Sequence, residues 1–260
     1  DAQTAESETI ALTDLVVPTA HDHDSTFAAH PERALSDAWP DAPAMAMPFA
    51  DGASFFYSWL DATYGYDPGG LVRACWALTP SISPPDATAL RNDPTTFDVL
   101  RMTFRPTNGD LDFSQFMLDF ATARALDPRM PARRDWDVDW PLAPRRLAPA
   151  LPIAPTGSSF VIVRRRGAPP TARLRVEATW EEHAEMVWQA VKLDANGNAI
   201  AQMQIEAQHR ATNAQMTIEN FDGVDAVLFV VVNLGDEYAP FHPADPVSEP
   251  HSYLLTISAE

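Results

Sequence analysis

Residues 186–207 read MVWQAVKLDANGNAIAQMQIEA, and this stretch decides the fold of the C-terminal part of the chain. Two runs rich in apolar residues, Met186–Leu193 and Ala199–Ala207, flank the sequence Asp194-Ala-Asn-Gly-Asn198. An Asn-Gly pair between two such runs is a strong signal for a β-hairpin, because these residue types tolerate the positive φ that a tight turn needs. We therefore predict two antiparallel strands that are joined through Asn196-Gly197.

The segments around this hairpin continue the pattern of strands. In residues 174–180, apolar side chains alternate with Arg, Glu and Thr, which is typical of a half-buried strand. Residues 226–234 are apolar on both faces, as in a central strand. The remaining predicted strands are Phe160–Val163, the segment with Met216 and Ile218, and the segment with Tyr253, Leu255 and Ile257. Seven strands within residues 157–260 predict an antiparallel β-sandwich of the immunoglobulin-like or fibronectin-III-like kind.

The first half of the chain changes to helical periodicity. Residues 52–64 place aromatic and aliphatic side chains on one helical face, and Gly65 is a candidate C-terminal stop. A second helix is predicted from about Pro68 to about Leu78. Two further helix starts are Asp93-Pro94, which combines an N-cap with proline at N1, and Asp112-Phe-Ser-Gln115, which resembles a capping box.

Two segments lack clear periodicity. Residues 1–50 are rich in Ala, Asp, Pro and Thr and are predicted either as an extended segment that wraps around another part or as partly disordered. Residues 127–156 contain seven prolines and are predicted as a semi-rigid linker, which Trp136 and Trp140 either pin to a domain surface or present to a ligand. The predicted organisation is α+β: a helical region at 1–126, a linker at 127–156 and a β-sandwich at 157–260.

The net charge of the chain limits the classes of partner that it can bind. It has 36 acidic and 18 basic residues and a net charge of −18, and Lys192 is its only lysine. Such a charge repels phosphate backbones and anionic lipid head groups, so we expect no nucleic-acid partner. Because there is no run of eighteen apolar residues, we also expect no membrane span. The acidity suits an extracellular setting, and the start at Asp1 without a signal segment suggests a processed product.

Three segments are candidates for chemistry or contact. The run His21-Asp22-His23-Asp24 carries side chains that bind transition metals, although such runs also occur as plain solvated surface. Asp194-Ala-Asn-Gly-Asn198 partly resembles the start of a calcium loop, but a hairpin turn explains the same residues. The acidic, proline-rich segment Gly235–His251 lies between two predicted strands and is the best candidate contact surface, although it could equally pack on the helical part.

The usual catalytic signatures are absent from the sequence. It contains no HExxH, GxSxG, phosphate-binding glycine loop or CxxC pair, and we predict no catalytic residue on this chain. Cys75 lies in an apolar helical pattern and is interpreted as a small packed hydrophobe.

One resemblance adds a functional hypothesis. The segment Ala53-Ser-Phe-Phe-Tyr-Ser-Trp-Leu-Asp-Ala-Thr-Tyr-Gly65, followed by Val72 and Trp76, resembles a helix downstream of the active site in secreted zinc metalloproteases of myxobacteria. Gly157-Ser-Ser-Phe160 resembles the start of the β-sandwich in the same family. The order of parts agrees over most of the chain, which then corresponds to a C-terminal portion without the HExxH helix.

The resemblance implies a zinc ligand and three functional hypotheses. Glu8, in Glu6-Ser-Glu-Thr-Ile-Ala11, matches a Glu-x-Thr-Ala position and is the candidate third ligand, although the flanking Gly and Trp of that motif are missing. The two histidines and the base of an HExxH motif would then lie upstream, so any zinc is held through that missing part. The leading hypothesis is a non-catalytic, secreted or cell-surface portion whose sandwich binds a protein partner or its own N-terminal fragment. The alternatives are part of an active zinc metallopeptidase whose HExxH lies on an upstream chain, and a self-associating surface or filament protein.

Overall fold

The structure is a computed structural model that describes residues 7–11, 24–35, 42–65, 67–82, 97, 99–100, 113–129, 131–169, 171–182, 184–205, 211–236 and 249–260. Its helices with described bounds are α1 (Asp24–Ala29), a 3-10 turn (Pro43–Met45), α2 (Ala46–Tyr64), α3 (Gly70–Ile82) and α4 (Phe113–Leu126). Its strands are β1 (Trp136–Asp139), β2 (Arg145–Leu147), β3 (Ser158–Arg164), β4 (Leu174–Trp180), β5 (Ala184–Leu193), β6 (Ala199–Ile205), β7 (Asn213–Ile218), β8 (Ala226–Asp236) and β9 (Tyr253–Ala259).

The strands form two sheets that pack face to face. Sheet A has the order β1-β3-β8-β5-β6, and sheet B has the order β2-β9-β4-β7. The pairs are antiparallel except for β1 with β3, which run parallel. This confirms the prediction of an α+β fold with a helical N-terminal region and an antiparallel β-sandwich.

Strand β8 shows why the C-terminal part has so long an apolar run. Val227, Phe229 and Val231 point into the core between the two sheets. The alternate residues Leu228 and Val230 belong to a second core, which sheet A shares with the helices. A strand with a covered face on each side has no position for polar side chains, so it loses the alternation of an edge strand.

The helices pack on the outer face of sheet A. Phe56 is fully buried among the rings of Phe97, Phe116 and Phe120, at centroid distances of 5.5, 5.8 and 4.8 Å. Below this cluster, Nε2 of Gln189 on β5 donates a hydrogen bond of 3.0 Å to Oγ1 of Thr122 on α4. The helical layer and sheet A therefore share one core, which is distinct from the core between the two sheets.

The end of α2 uses Gly65 in an unexpected way. It follows the last helical residue, as predicted, but its φ is −74° and not the positive value that is common for a glycine at this place. A Cβ at this position would lie 2.4 Å from the carbonyl oxygen of Asp61, so the position needs the small size of glycine. The Asp61 carboxylate then accepts hydrogen bonds from the backbone N–H groups of Gly69 and Leu71, at 2.6 and 3.1 Å. It thereby caps the start of α3.

Two predicted segments contain more regular structure than the sequence indicates. Residues 127–156 supply β1 to sheet A and β2 to sheet B, so the predicted linker range contributes an edge strand to each sheet. Within the predicted extended segment 1–50, residues 7–11 and α1 are helical. Phe27 of α1 packs edge to face on Phe49, with 5.4 Å between the ring centroids. Local periodicity cannot indicate such a tertiary contact.

Two predictions remain, the helix that starts at Asp93-Pro94 and the absence of a membrane span. The start at Asp93-Pro94 lies outside the described residues, and of the helix that it predicts, residues 97, 99 and 100 are described as helical. Among the helices searched in the described part of the chain, none is long and apolar enough to cross a bilayer.

Candidate functional site

Of the three predicted zinc ligands, the structure describes one. Glu8 lies in helical residues 7–11, is 2% exposed, and its Oε2 accepts a hydrogen bond from Nε1 of Trp76 on α3. His21 and His23 lie outside the described residues. Within the described ranges, no group of three or more His, Cys, Asp or Glu side chains is arranged to hold a metal ion. The zinc role of Glu8, His21 and His23 stays a prediction.

Cys75 lies next to this glutamate in the helical core. The thiol is buried, and burial together with the negative charge of Glu8 raises its pKa to about 11. A thiol with such a pKa stays protonated at neutral pH and is a poor nucleophile. This agrees with the interpretation of Cys75 as a packed hydrophobe.

The segment that partly resembles a calcium loop is a hairpin turn. One oxygen of the Asp194 carboxylate accepts hydrogen bonds of 2.8 Å from the backbone N–H groups of both Asn196 and Asn198. Gly197 has a φ of +83°, which a glycine adopts without strain. A hydrogen bond of 3.1 Å from Nδ2 of Asn198 and these backbone hydrogen bonds lower the pKa of Asp194, so its carboxylate is ionised and engaged in the turn.

One of the two tryptophans of the proline-rich segment fixes it to the sandwich. Trp140 is buried and packs edge to face on Phe221 at a centroid distance of 5.1 Å. Trp136 is partly exposed, and its Nε1 donates a hydrogen bond of 2.6 Å to the carbonyl oxygen of Ala148. The Trp140 contact matches the pinning role, whereas the Trp136 hydrogen bond lies within the proline-rich segment itself.

A chain of polar side chains crosses the junction between the helices and the sandwich. Glu32 bonds with one oxygen to Nδ1 of His30 at 3.2 Å and accepts with the other from Arg133 at 3.0 Å. Arg133 also donates to Oδ1 of Asp135 at 3.4 Å, and Oδ2 of Asp135 accepts from Oγ of Ser159 at 2.5 Å. We call this set, completed by Tyr253, the junction network.

Ser159 and Tyr253 form the inner end of the junction network. Ser159 is fully buried, and its Oγ lies 2.7 Å from the Tyr253 hydroxyl. Burial raises the pKa of Tyr253, the charge of Asp135 raises it further, and the hydrogen bond with Ser159 opposes these effects. The tyrosine is therefore a neutral hydrogen-bonding group, and Ser159 is enclosed rather than placed as a nucleophile. This arrangement stabilises the junction of the two parts.

A shallow groove lies close to the inner end of this network, at one end of sheet B. It has a volume of about 270 Å³ and is lined by Thr179, Trp180, Glu181, Ser252, Tyr253 and Leu254. Nδ1 of His251 lies 2.9 Å from Oε2 of Glu181, which forms an ion pair when the histidine is protonated. We call this surface the sheet B groove.

The sheet B groove adjoins the contact surface that the sequence predicted. Of the segment Gly235–His251, residues 237–248 lie outside the described part, whereas His251 bonds to a residue of the groove. The sequence patterns did not identify Leu254 as a contact residue, and the structure shows this apolar side chain to be 37% exposed. The alternation in β9 carries a signal for it. The face of β9 that Leu254 shares with Thr256 and Ser258 is otherwise polar, so an apolar side chain stands out there.

Comparisons with known proteins find likeness only at a low level. The sequence matches no protein-family model and no curated protein sequence. The pre-peptidase C-terminal domain of collagenase from Bacillus anthracis has 9% identity and a TM-score of 0.31, over 48% of this chain and 97% of that one. CorA, a surface-associated copper-binding protein of Methylomicrobium album BG8, has 9% identity and a TM-score of 0.29, over 48% of this chain and 99% of that one. The mitogen derived from Yersinia pseudotuberculosis has 13% identity and a TM-score of 0.29, over 44% of this chain and 86% of that one. Likeness at this level assigns neither a family nor a function to the chain.

Proposed function

We propose that this chain is the non-catalytic C-terminal portion of a secreted metalloprotease-like protein, and that its β-sandwich docks a protein partner. The observation that carries the proposal is the sheet B groove, an open surface with apolar and acidic groups on the side of the sandwich away from the helices. The described helices pack on sheet A, and none of them covers the outer face of sheet B, which makes this face the candidate surface for contact with another protein.

The side chains of the groove suit an extended protein segment. Leu254 and the ring of Trp180 offer apolar surface, Thr179 and Ser252 offer hydroxyl groups, and the Glu181 carboxylate is 55% exposed. A few apolar anchors with polar groups around them are typical of protein-binding surfaces. The groove fits a segment with an apolar side chain next to a basic one.

The non-catalytic role is supported by how the buried polar groups are used. Glu8 accepts a hydrogen bond from Trp76, and Ser159 is enclosed between Asp135 and Tyr253. A hydrolytic site needs a nucleophile or a metal-bound water that substrate can reach. In the described part of the chain these groups stabilise the fold.

The docking role predicts a loss of binding when the groove is changed. The polypeptide encoded immediately upstream of Asp1 is the probe, and its affinity for this chain is measured by isothermal titration calorimetry. We expect Leu254→Arg to weaken binding by about tenfold or more, because a charge replaces an apolar contact. The matched control is Leu142→Arg, since Leu142 is 94% exposed and lies outside the groove. Equal affinities of the Leu254→Arg variant and the parent chain would contradict the docking surface.

The second candidate, part of an active zinc metallopeptidase, is favoured by one feature of the helical part. Beside Glu8, the hydroxyl group of Ser7 is buried and finds no hydrogen-bond partner among the described atoms. A buried carboxylate next to such a hydroxyl group has the chemistry of a ligand position that an upstream segment could complete.

Zinc content separates the two candidates. Zinc is added to the purified chain and to its Glu8→Ala variant, and the zinc that remains after dialysis is measured by mass spectrometry. We expect both to retain the same amount, well below one equivalent, because the Glu8 carboxylate is already hydrogen-bonded to Trp76. Zinc that is bound at one equivalent and lost in Glu8→Ala would favour the metallopeptidase. Hydrolysis of casein after mixing with an upstream chain that carries HExxH would establish it.

A further inference from the structure

The four edges of the sandwich differ in charge. β1 and β2 are four and three residues long and carry Asp137, Asp139, Arg145 and Arg146. Asp137 is also ion-paired with Arg164 at 2.7 Å. Short, charged edges prevent the addition of a further strand, because the incoming strand would bury those charges.

The opposite edges have no such protection. β6 reads Ala-Ile-Ala-Gln-Met-Gln-Ile and β7 reads Asn-Ala-Gln-Met-Thr-Ile, and neither strand contains a charged residue or a proline. This neutral stretch stands out in a chain in which 21% of the residues are charged. In the described part of the chain, β6 pairs on one side only, with β5.

β6 is also largely exposed to solvent. Its residues 199–202 and Gln204 are exposed and Met203 is half-exposed, and Ile200 keeps 49% of its surface accessible. Gln202 lies opposite Val191, near the end of the helical cover, where only a weak contact of 3.5 Å joins it to Gln189. An uncharged edge strand of this kind, with exposed side chains, is a template for strand addition.

We propose that β6 pairs with β6 of a second copy of this chain. The two strands would run antiparallel about a two-fold axis near Gln202 and join the two five-stranded sheets into one continuous sheet. The glutamine amide is its own complement, since it carries both an acceptor oxygen and two donor hydrogens.

The neutral edge distinguishes a second copy from a basic peptide. A basic strand would find no carboxylate along β6, whereas a second β6 brings no charge to the contact. The charge of −18 on each copy opposes association at long range. Salt screens that repulsion, because the Debye length falls from about 30 Å at 0.01 M to about 3 Å at 1 M ionic strength. The self-pairing therefore becomes stronger with salt, and docking of a basic peptide would become weaker.

Sedimentation velocity tests the pairing on the full chain. We expect the parent chain to change from monomer to dimer between about 0.01 M and about 1 M salt. At the lowest salt at which the parent is dimeric, Gln202→Lys and Gln202→Glu are both expected to be monomeric, because like charges would face each other across the axis. Leu142→Lys, at an exposed position between β1 and β2, is expected to dimerise like the parent.

Three outcomes would overturn the proposal. These are a parent chain that stays monomeric at every salt concentration, a Gln202→Lys variant that dimerises like the parent, and a Leu142→Lys variant that is monomeric. The thermal unfolding of the Gln202 variants is measured in parallel, and an unchanged midpoint shows that they are folded. The Leu254→Arg variant is expected to dimerise, so this test is independent of the sheet B groove.

Discussion

Replacing Arg124 with methionine is expected to lower the free energy of unfolding by about 4 kcal/mol. Arg124 lies on α4, and it is fully buried. Its guanidinium donates to the carbonyl oxygens of Phe27, Pro31 and His30, and it stacks on the Phe27 ring at 3.6 Å from the centroid. Methionine would fill part of the volume, but these buried carbonyl groups would lose the guanidinium and keep the backbone N–H donors of His30, Arg33 and Ser158.

None of these contacts pairs the charge of Arg124 directly with a carboxylate. Burial lowers its pKa to about 9, and the nearby charge of Glu32 opposes this shift, so the guanidinium stays charged at neutral pH. Lysine should not restore stability, because one ammonium group cannot replace the planar fork that reaches several carbonyl groups and stacks on a ring. We expect Arg124→Lys to lose about 3 kcal/mol.

Urea unfolding followed by circular dichroism measures both Arg124 variants. The matched control is Arg129→Met, because Arg129 is 77% exposed and forms its ion pair with Asp127 at the surface. We expect the control to change stability by less than about 1 kcal/mol. A loss in Arg124→Met as small as in this control would show that the turn at residues 27–31 does not depend on the buried guanidinium.

The sandwich was predictable because its strands carry their own signals. The alternation in β4 and the Asn-Gly turn between β5 and β6 each reflect local geometry, so a single sequence reveals them. β1 and β2 escaped prediction because they are short and lie among prolines, which normally indicate irregular backbone. Their pairing comes from β3 and β9, which offer free edges to an extended segment.

The sites were less predictable than the strands. Trp76 and Glu8 are 68 residues apart, and Ser159 and Tyr253 are 94 residues apart, so no local period connects either pair. Short motifs such as the one containing Glu8 identify a residue type but not the side chain that will face it. What a single sequence supplies is the set of polar residues, and packing decides which of them meet.

The junction network gives the second large expected effect. Replacing Asp135 with alanine is expected to lower the free energy of unfolding by about 3 kcal/mol. Its side chain is only 3% exposed, and its carboxylate accepts from Ser159 Oγ, from the Ala150 N–H at 3.3 Å and from Arg133. The variant would remove the carboxylate acceptor of the buried Ser159 hydroxyl, whereas the exposed Ala150 N–H and the partly exposed Arg133 can bond to water. Asp137→Ala is the control, because Asp137 is 41% exposed and its ion pair with Arg164 should contribute less than about 1 kcal/mol.

A double-mutant cycle with Ser159→Ala identifies the part of this loss that belongs to the network. Because the Asp135 carboxylate and the Ser159 hydroxyl share one hydrogen bond, the double variant should lose about 1 kcal/mol less than the sum of the single losses. Strict additivity would contradict a direct coupling. The helical signal and tryptophan fluorescence should still change at one common midpoint in Asp135→Ala, since α4 and sheet A keep their shared apolar core. Two separate midpoints would instead mean that the carboxylate, rather than the core, makes the helices and the sandwich unfold together.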